Sequence, residues 1–126
     1  NKRLSDGRRA TIIDVGVNFL FTAFWYDHKI HPTIQHSGAV EETTIYGPLC
    51  MNIDVIRPSL MFPPMKQGDK FLITRTGAYN NTQWMQFIAT RPNIVLIDKD
   101  RNVHIIRKAE SVEDVASNEV IPKHLE

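Results

Sequence analysis

No stretch of this chain holds a helical period long enough to build a helical core. Instead, short runs rich in β-branched and aromatic residues recur between turn signals at roughly 8–12-residue spacing. ATIIDVG (10–16) reads as a strand halted by Gly16, AVEETTI (39–45) and KFLITRT (70–76) as two more, and Asp54-Val55-Ile56 as the start of another. NIVLID and NVHIIRK flank Lys99-Asp100-Arg101 and read as a hairpin. The pattern predicts about six to eight short strands and an all-β fold, a β-sandwich or Greek-key barrel with one or two short helices.

The exceptions are informative. NFLFTAFWYDH crowds Phe19, Phe21, Phe24, Trp25 and Tyr26 together without a clean period of 2 or 3.6, which suits a short helix or a loop packed on a partner surface. His31-Pro32 is expected to end whatever precedes it. Pro58, Pro63 and Pro64 confine SLMFPPM to an edge or an irregular connection, because proline donates nothing to a ladder. Ser111 and Asp114 fit a helix N-terminal capping box loosely, since aspartate reaches less far than glutamate, and a short helix is expected from Val112 to Ser117.

At 126 residues the chain is sized for one domain with a single modest core. Its hydrophobic share of 42% and charged share of 23% are those of a globular protein. A net charge of +1 provides no basic face for nucleic acid or for an anionic membrane surface, and no apolar run approaches a membrane span. The five histidines are scattered and lack metal-ligand spacing, so no metal is expected. A single cysteine builds no internal disulfide framework, and a cytoplasmic location is the expectation. The chain opens on Asn1 without a methionine and closes on Leu125-Glu126, a dipeptide that a cloning site often leaves. Residues 125–126 are read as such a scar, residues 1–124 as one domain, and the whole as a piece of something longer.

That one cysteine stands in YGPLCMNIDVI (46–56), directly after a Gly-Pro turn and four residues before a carboxylate. Cys50 has two readings, a small buried hydrophobe or a thiol presented for chemistry. Tyr79, in GAYNNTQW, has two as well: a core tyrosine, or a phenol that Gly77 allows to swing toward a ligand on a tight or positive-φ backbone.

Three ordered segments favour the second reading of each. IIDVGVNFLFTAFWY, GPLCMNIDVI and MKQGDKFLITRTGAYNNTQWMQF, spread over most of residues 10 to 92, resemble the Asp-x-Gly-x-Asn, Gly-Pro-x-Cys-x-x-x-Asp and Gly-Asp…Gly-Ala-Tyr segments of one domain. That domain is the C-terminal β-domain of the pyridoxal-phosphate decarboxylases acting on diaminopimelate, ornithine and arginine, which pair it with an alanine-racemase-like barrel. The resemblance implies that Cys50 overhangs the cofactor and returns a proton after carbon dioxide leaves. A thiol suits that task, since its reference pKa of about 8.5 keeps it mostly protonated near neutrality. It also implies that Tyr79 bonds the cofactor phosphate, that Tyr26 and the residue after the cysteine, Met51, line the substrate site, and that Asp54 braces the Cys50 loop. Tyr26 keeps a second reading as interface packing. Asp14 and Asn18 are read as structural.

Two departures bear on the substrate. Enzymes of the family that act on diaminopimelate carry an arginine where this chain has Thr22, and a glutamate after the cysteine where it has Met51; ornithine enzymes carry an aspartate there. Losing a charge-assisted contact to a distal group costs about 1.5–3 kcal/mol. The expected substrate is therefore an amino acid, or an acylated or carrier-linked derivative, whose far end is neutral, bulky or recognised elsewhere. The Schiff-base lysine of the family belongs to the barrel, so this chain alone is expected to be inactive and to bind no pyridoxal phosphate. The intact protein is expected to be a homodimer in which this domain completes the neighbour's site. A catalytically silent homologue acting as a protein-interaction domain, a racemase relative and an unrelated β-domain are the rival readings.

Overall fold

In the computed structural model, which describes residues 2–125, the chain is built from eight short strands, one α-helix and two 3-10 turns. The all-β expectation is borne out. The chain divides into two compact units, Asn1–Met85 and Gln86–Glu126.

The first unit carries a four-stranded sheet ordered β1-β2-β4-β5, from β1 (Lys2–Arg3), β2 (Arg9–Ile12), β4 (Glu41–Tyr46) and β5 (Val55–Phe62). A second, two-stranded sheet pairs β3 (Lys29–Pro32) with β6 (Phe71–Thr74). The buried hydrophobic residues all belong to this unit, among them Val17, Ile45, Ile56 and Phe62. The Phe62 and Phe71 rings meet edge to face, with centroids 5.9 Å apart, and tie the two sheets together. No described residue of the second unit is buried; the core expected of a single domain lies in the first.

β2 and β4 run parallel, with Arg9 opposite Thr43 and Ile12 opposite Tyr46. A parallel pair cannot be joined by a tight turn and demands a long crossover. Here the crossover is residues 13–40, and it carries the aromatic run, folded as a 3-10 helix at Phe21–Phe24. Sheet topology thus sends NFLFTAFWY away from the ladder and leaves it free to build a site.

One local reading is corrected and two others hold. ATIIDVG is strand only to Ile12, because Ile13 contributes one last bond, its N–H to the Tyr46 carbonyl, before the chain turns away. His31-Pro32 does end a segment, but that segment is β3, with proline at the strand's last position opposite Phe71. The edge expected for SLMFPPM is borne out for SLMF, which continues β5 at the sheet edge, where Pro58 is tolerated because the register slips beside it. Thr43 faces Leu60 but Ile45 faces Arg57, and the Thr44 hydroxyl donates to the Pro58 carbonyl at 2.8 Å in the gap.

The second unit holds the hairpin of β7 (Ile94–Ile97) and β8 (Val103–Arg107), as expected, and the helix α1 (Val112–Ala116). The capping box is complete rather than loose. The Ser111 hydroxyl accepts from the Asp114 N–H at 3.1 Å, and the Asp114 carboxylate accepts from the Ser111 N–H at 2.7 Å.

Candidate functional site

The loop carrying Cys50 is organised by one carboxylate. Asp54 is 2% exposed. Its Oδ2 accepts from the Leu49 N–H at 2.7 Å and its Oδ1 from the Val17 N–H at 2.8 Å. Backbone bonds close the same loop, from Gly47 N–H to the Asp54 carbonyl at 3.0 Å and from Asp54 N–H to the Met51 carbonyl at 3.1 Å. The bracing role expected of Asp54 is therefore its role. Gly16 and Gly47 make room for it. A Cβ on Gly47 would lie 2.3 Å from both carboxylate oxygens and 2.5 Å from the Gly16 Cα. Within this frame Cys50 is exposed and free of any disulfide. The reading of Cys50 as a small buried hydrophobe is overturned: both neighbours that anchor the loop, Leu49 and Asp54, point inward, and the cysteine is left outside. Met51 beside it is half-buried.

The turn carrying Tyr79 is held from the other side. Tyr79 is 59% exposed and adopts a φ of +67°. The positive φ expected near Gly77 belongs to the tyrosine itself, in a region that costs a residue with a Cβ about 1–2 kcal/mol. Asn80, directly after it, is buried and bonded at both ends of its amide: Nδ2 donates to the Thr76 carbonyl at 2.8 Å, and Oδ1 accepts from the Thr22 N–H at 3.2 Å and hydroxyl at 2.9 Å. Thr22 is 1% exposed, and its hydroxyl also meets His28 Nε2 at 2.8 Å.

These two anchorages share one piece of chain. Val17 binds the Asp54 carboxylate, and Thr22, five residues on, binds Asn80. Between them the Phe19 and Leu20 N–H groups both donate to the Gly16 carbonyl at 3.0 Å, the Met85 N–H donates to the Asn18 carbonyl at 3.3 Å, and the Phe19 and Trp84 rings pack edge to face with centroids 4.2 Å apart. Even fully extended, five residues span no more than about 18 Å, and this segment is turned. The Cys50 loop and the Tyr79 turn thus hang from the two ends of residues 17–22. Asn18 is buried, as expected of a structural residue, whereas Asp14 is exposed and outside this frame.

Tyr26 follows the 3-10 helix, its N–H donating to the Thr22 carbonyl at 2.9 Å, and it is 56% exposed. Phe21, Phe24 and Trp25 brace one another edge to face beside it. The first and last of the three segments thus meet through Thr22 and Asn80. The residues that sequence reasoning passed over are Asn80 and His28. An asparagine directly after the Gly-Ala-Tyr turn is the available signal, since its short amide readily bonds nearby backbone. His28 gave none. Among the described residues there is no group of three or more histidine, cysteine or acidic side chains able to hold a metal. No helix among them is long and apolar enough to cross a membrane.

Comparison with known proteins agrees with this architecture. Residues 1–77 match the family model described as the pyridoxal-dependent decarboxylase, C-terminal sheet domain. The chain is 26% identical over 117 residues to a diaminopimelate decarboxylase of Helicobacter pylori, covering 90% of this chain and 29% of that protein. It is 33% identical over 91 residues to a lysine/ornithine decarboxylase of Selenomonas ruminantium, covering 70% of this chain and 23% of that one. Among solved structures, a diaminopimelate decarboxylase from M. jannaschii superposes with a TM-score of 0.85 at 27% identity, over 98% of this chain and 29% of the other. The same enzyme has been solved in co-complex with L-lysine. The chain spans less than a third of the length of these relatives. It belongs to the family of C-terminal sheet domains of the pyridoxal-dependent decarboxylases.

Proposed function

We propose that this chain is the half-site of a pyridoxal-phosphate-dependent decarboxylase that removes the α-carboxylate of an amino acid or amino-acid derivative. The observation that carries the reading is the exposed thiol of Cys50 on a loop pinned by Asp54, hung from the same short segment as the exposed phenol of Tyr79.

The side chains present fit one part of what such a cofactor requires. A neutral phenol on a fixed backbone suits a phosphate oxygen, and an exposed thiol suits proton delivery. Every described lysine is exposed, so none sits in the desolvated setting that activates an imine-forming amine. The anchoring lysine is assigned to the barrel domain that accompanies this one in the full-length protein. When bound, pyridoxal phosphate supplies the electron sink for the bond electrons released with carbon dioxide. Cys50 then gives its proton to the carbon that lost the carboxylate, and Tyr79 holds the cofactor phosphate. Tyr26 and Met51 face the substrate. The intact protein works as a homodimer in which this domain completes the partner's site.

The substrate's far end is neutral or is gripped from elsewhere. Met51 offers no charge, and Thr22 is buried with its hydroxyl engaged by Asn80 and His28, so neither position presents an ionic partner. The test is carbon dioxide release by the full-length protein from a panel of amino acids and acylated derivatives, with Cys50→Ala alongside. Cys50→Ala is expected to lower amine formation about 10²-fold or more, as removal of a positioned general acid does. An unchanged rate would remove Cys50 from the chemistry. Turnover of free diaminopimelate at the rate of the best substrate would refute the neutral far end.

A further inference from the structure

Tyr79 keeps a left-handed backbone, a conformation that persists only where the surroundings over-determine it and that concentrates at functional sites. On its C-terminal side, the Tyr79 carbonyl accepts from the N–H groups of Thr82 and Gln83, both at 2.9 Å, and from the Thr82 hydroxyl at 3.0 Å. On the other side stands the buried set Asn80, Thr22 and His28. The bond from Asn80 Nδ2 to the Thr76 carbonyl fixes which way round the amide lies, so its Oδ1 faces Thr22 as an acceptor. Thr22 has one hydroxyl proton, and it goes to that Oδ1. At His28 Nε2, 2.8 Å away, the same oxygen can only accept, so Nε2 carries the ring proton. His28 is 2% exposed, and its carbonyl accepts from Arg57 Nη1 at 3.3 Å, which locks the histidine to β5.

From this geometry we infer that Thr22, His28 and Asn80 are positioning residues: they touch no ligand, and through directional hydrogen bonds they set the Tyr79 phenol where the cofactor phosphate binds. The inference rests on the function proposed above. It makes the hydroxyl at position 22 a link in the chain His28 → Thr22 → Asn80 rather than a substrate contact. The direction of the links is a consequence of proton counting, and each is open to measurement.

The experiment is a double-mutant cycle on the full-length protein freed of cofactor. It reads pyridoxal phosphate affinity from the absorbance of the bound form, with steady-state decarboxylation measured in parallel. Tyr79→Phe is expected to weaken cofactor affinity about tenfold, the value of one hydrogen bond to a charged group. Thr22→Val, which keeps the shape and removes the hydroxyl, is expected to weaken it about three- to tenfold, and Thr22→Ser to restore most of that loss. In the Tyr79→Phe background, Thr22→Val should add less than about twofold, because the phenol it positions is gone. Equal factors in both backgrounds, or no effect of Thr22→Val with tyrosine present, would overturn the positioning role and leave the cluster as core packing. No effect of Tyr79→Phe would instead sink the assignment of Tyr79 to the cofactor, a separate failure. Should a melting curve show that Thr22→Val does not fold, Asn80→Asp takes its place, keeping both acceptor contacts while replacing the donor to Thr76 by a carboxylate oxygen set against that carbonyl. The same non-additivity is expected, and additivity has the same consequence. Nitrogen NMR of histidine-labelled protein, with His28→Gln to assign the signal, should show Nε2 protonated; a bare Nε2 would overturn the direction of the links.

Discussion

Asp54 orders the Cys50 loop by satisfying backbone donors from two distant segments, Val17 and Leu49, with the two oxygens of one carboxylate. Replacing it by alanine leaves both N–H groups buried without a partner, at a cost of roughly 2–5 kcal/mol. Gly47→Ala attacks the same arrangement sterically, since its Cβ would fall 2.3 Å from both carboxylate oxygens. Both variants are expected to lower the denaturant midpoint of unfolding of the intact protein and to raise the alkylation rate of Cys50, whereas Pro48→Ala at the exposed neighbouring position should change each far less. The bracing role of Asp54 was legible from the resemblance of its segment to the family's Gly-Pro-x-Cys-x-x-x-Asp. What Gly47 does was not. It serves no positive φ but a close approach, and only the folded arrangement shows that Asp54 and Gly16 arrive there together. The positive φ at Tyr79 was misplaced onto Gly77 for the same reason, because the neighbouring Asn80 is anchored by Thr22, far away in sequence.

At the level of elements, local chemistry decides where strands bend and the second helix begins. Alternation and turn residues placed the β7–β8 hairpin within a residue or two, because Asp98 closes it with contacts that span only a few positions. Its Oδ1 accepts from the Asp100 and Asn102 N–H groups at 2.9 and 2.8 Å. Bonds from His104 first and from Asn102 next hold the Asp98 carboxyl below its usual range. α1 is short and fully exposed, so its capping box is its main local support. Ser111→Ala is expected to destabilise this helix by about 1 kcal/mol, seen as lost amide protection at Asp114 and Val115 with the hairpin unaffected. The slip beside Pro58 escaped the sequence reading because a proline alone does not say whether a strand ends or bulges. The outcome depended on Thr44 being opposite to supply a hydroxyl for the freed carbonyl.

On the scale of the whole molecule, charge pairing at the sheet edge and an uncovered aromatic surface set its solution behaviour. Arg3 and Arg9 converge on Glu41, and Arg9 is nearly buried. Hydrogen bonds from Arg3 and then Arg9 hold the Glu41 carboxyl below the usual value of 4.5. A depressed folded value means that the stabilisation is fully present above that pH and fades as the pH falls through the lowered one. Glu41→Gln is therefore expected to lower the melting temperature at neutral pH and to flatten its decline on acidification below about 4.5. Phe24, Trp25 and Tyr26 are each more than two-fifths exposed in this 126-residue chain. Side chains of this size gathered in one place are covered in most working proteins. The isolated chain is expected to self-associate in light scattering, and Trp25→Ser to reduce that association without altering the far-ultraviolet circular dichroism.

The order of residues along the chain was enough to determine the strand-rich class, the hairpin, the helix cap and the identity of the family. Each depends on neighbours close in sequence or on motifs that survive as short strings. The tertiary structure alone decided that Cys50 faces outward, that the left-handed residue is the tyrosine, and that Thr22 is an internal link. Those outcomes follow from bonds between residues up to 58 positions apart, as Thr22 and Asn80 are. Contacts between segments so far apart, like the parallel pairing of β2 with β4, leave no local trace in sequence.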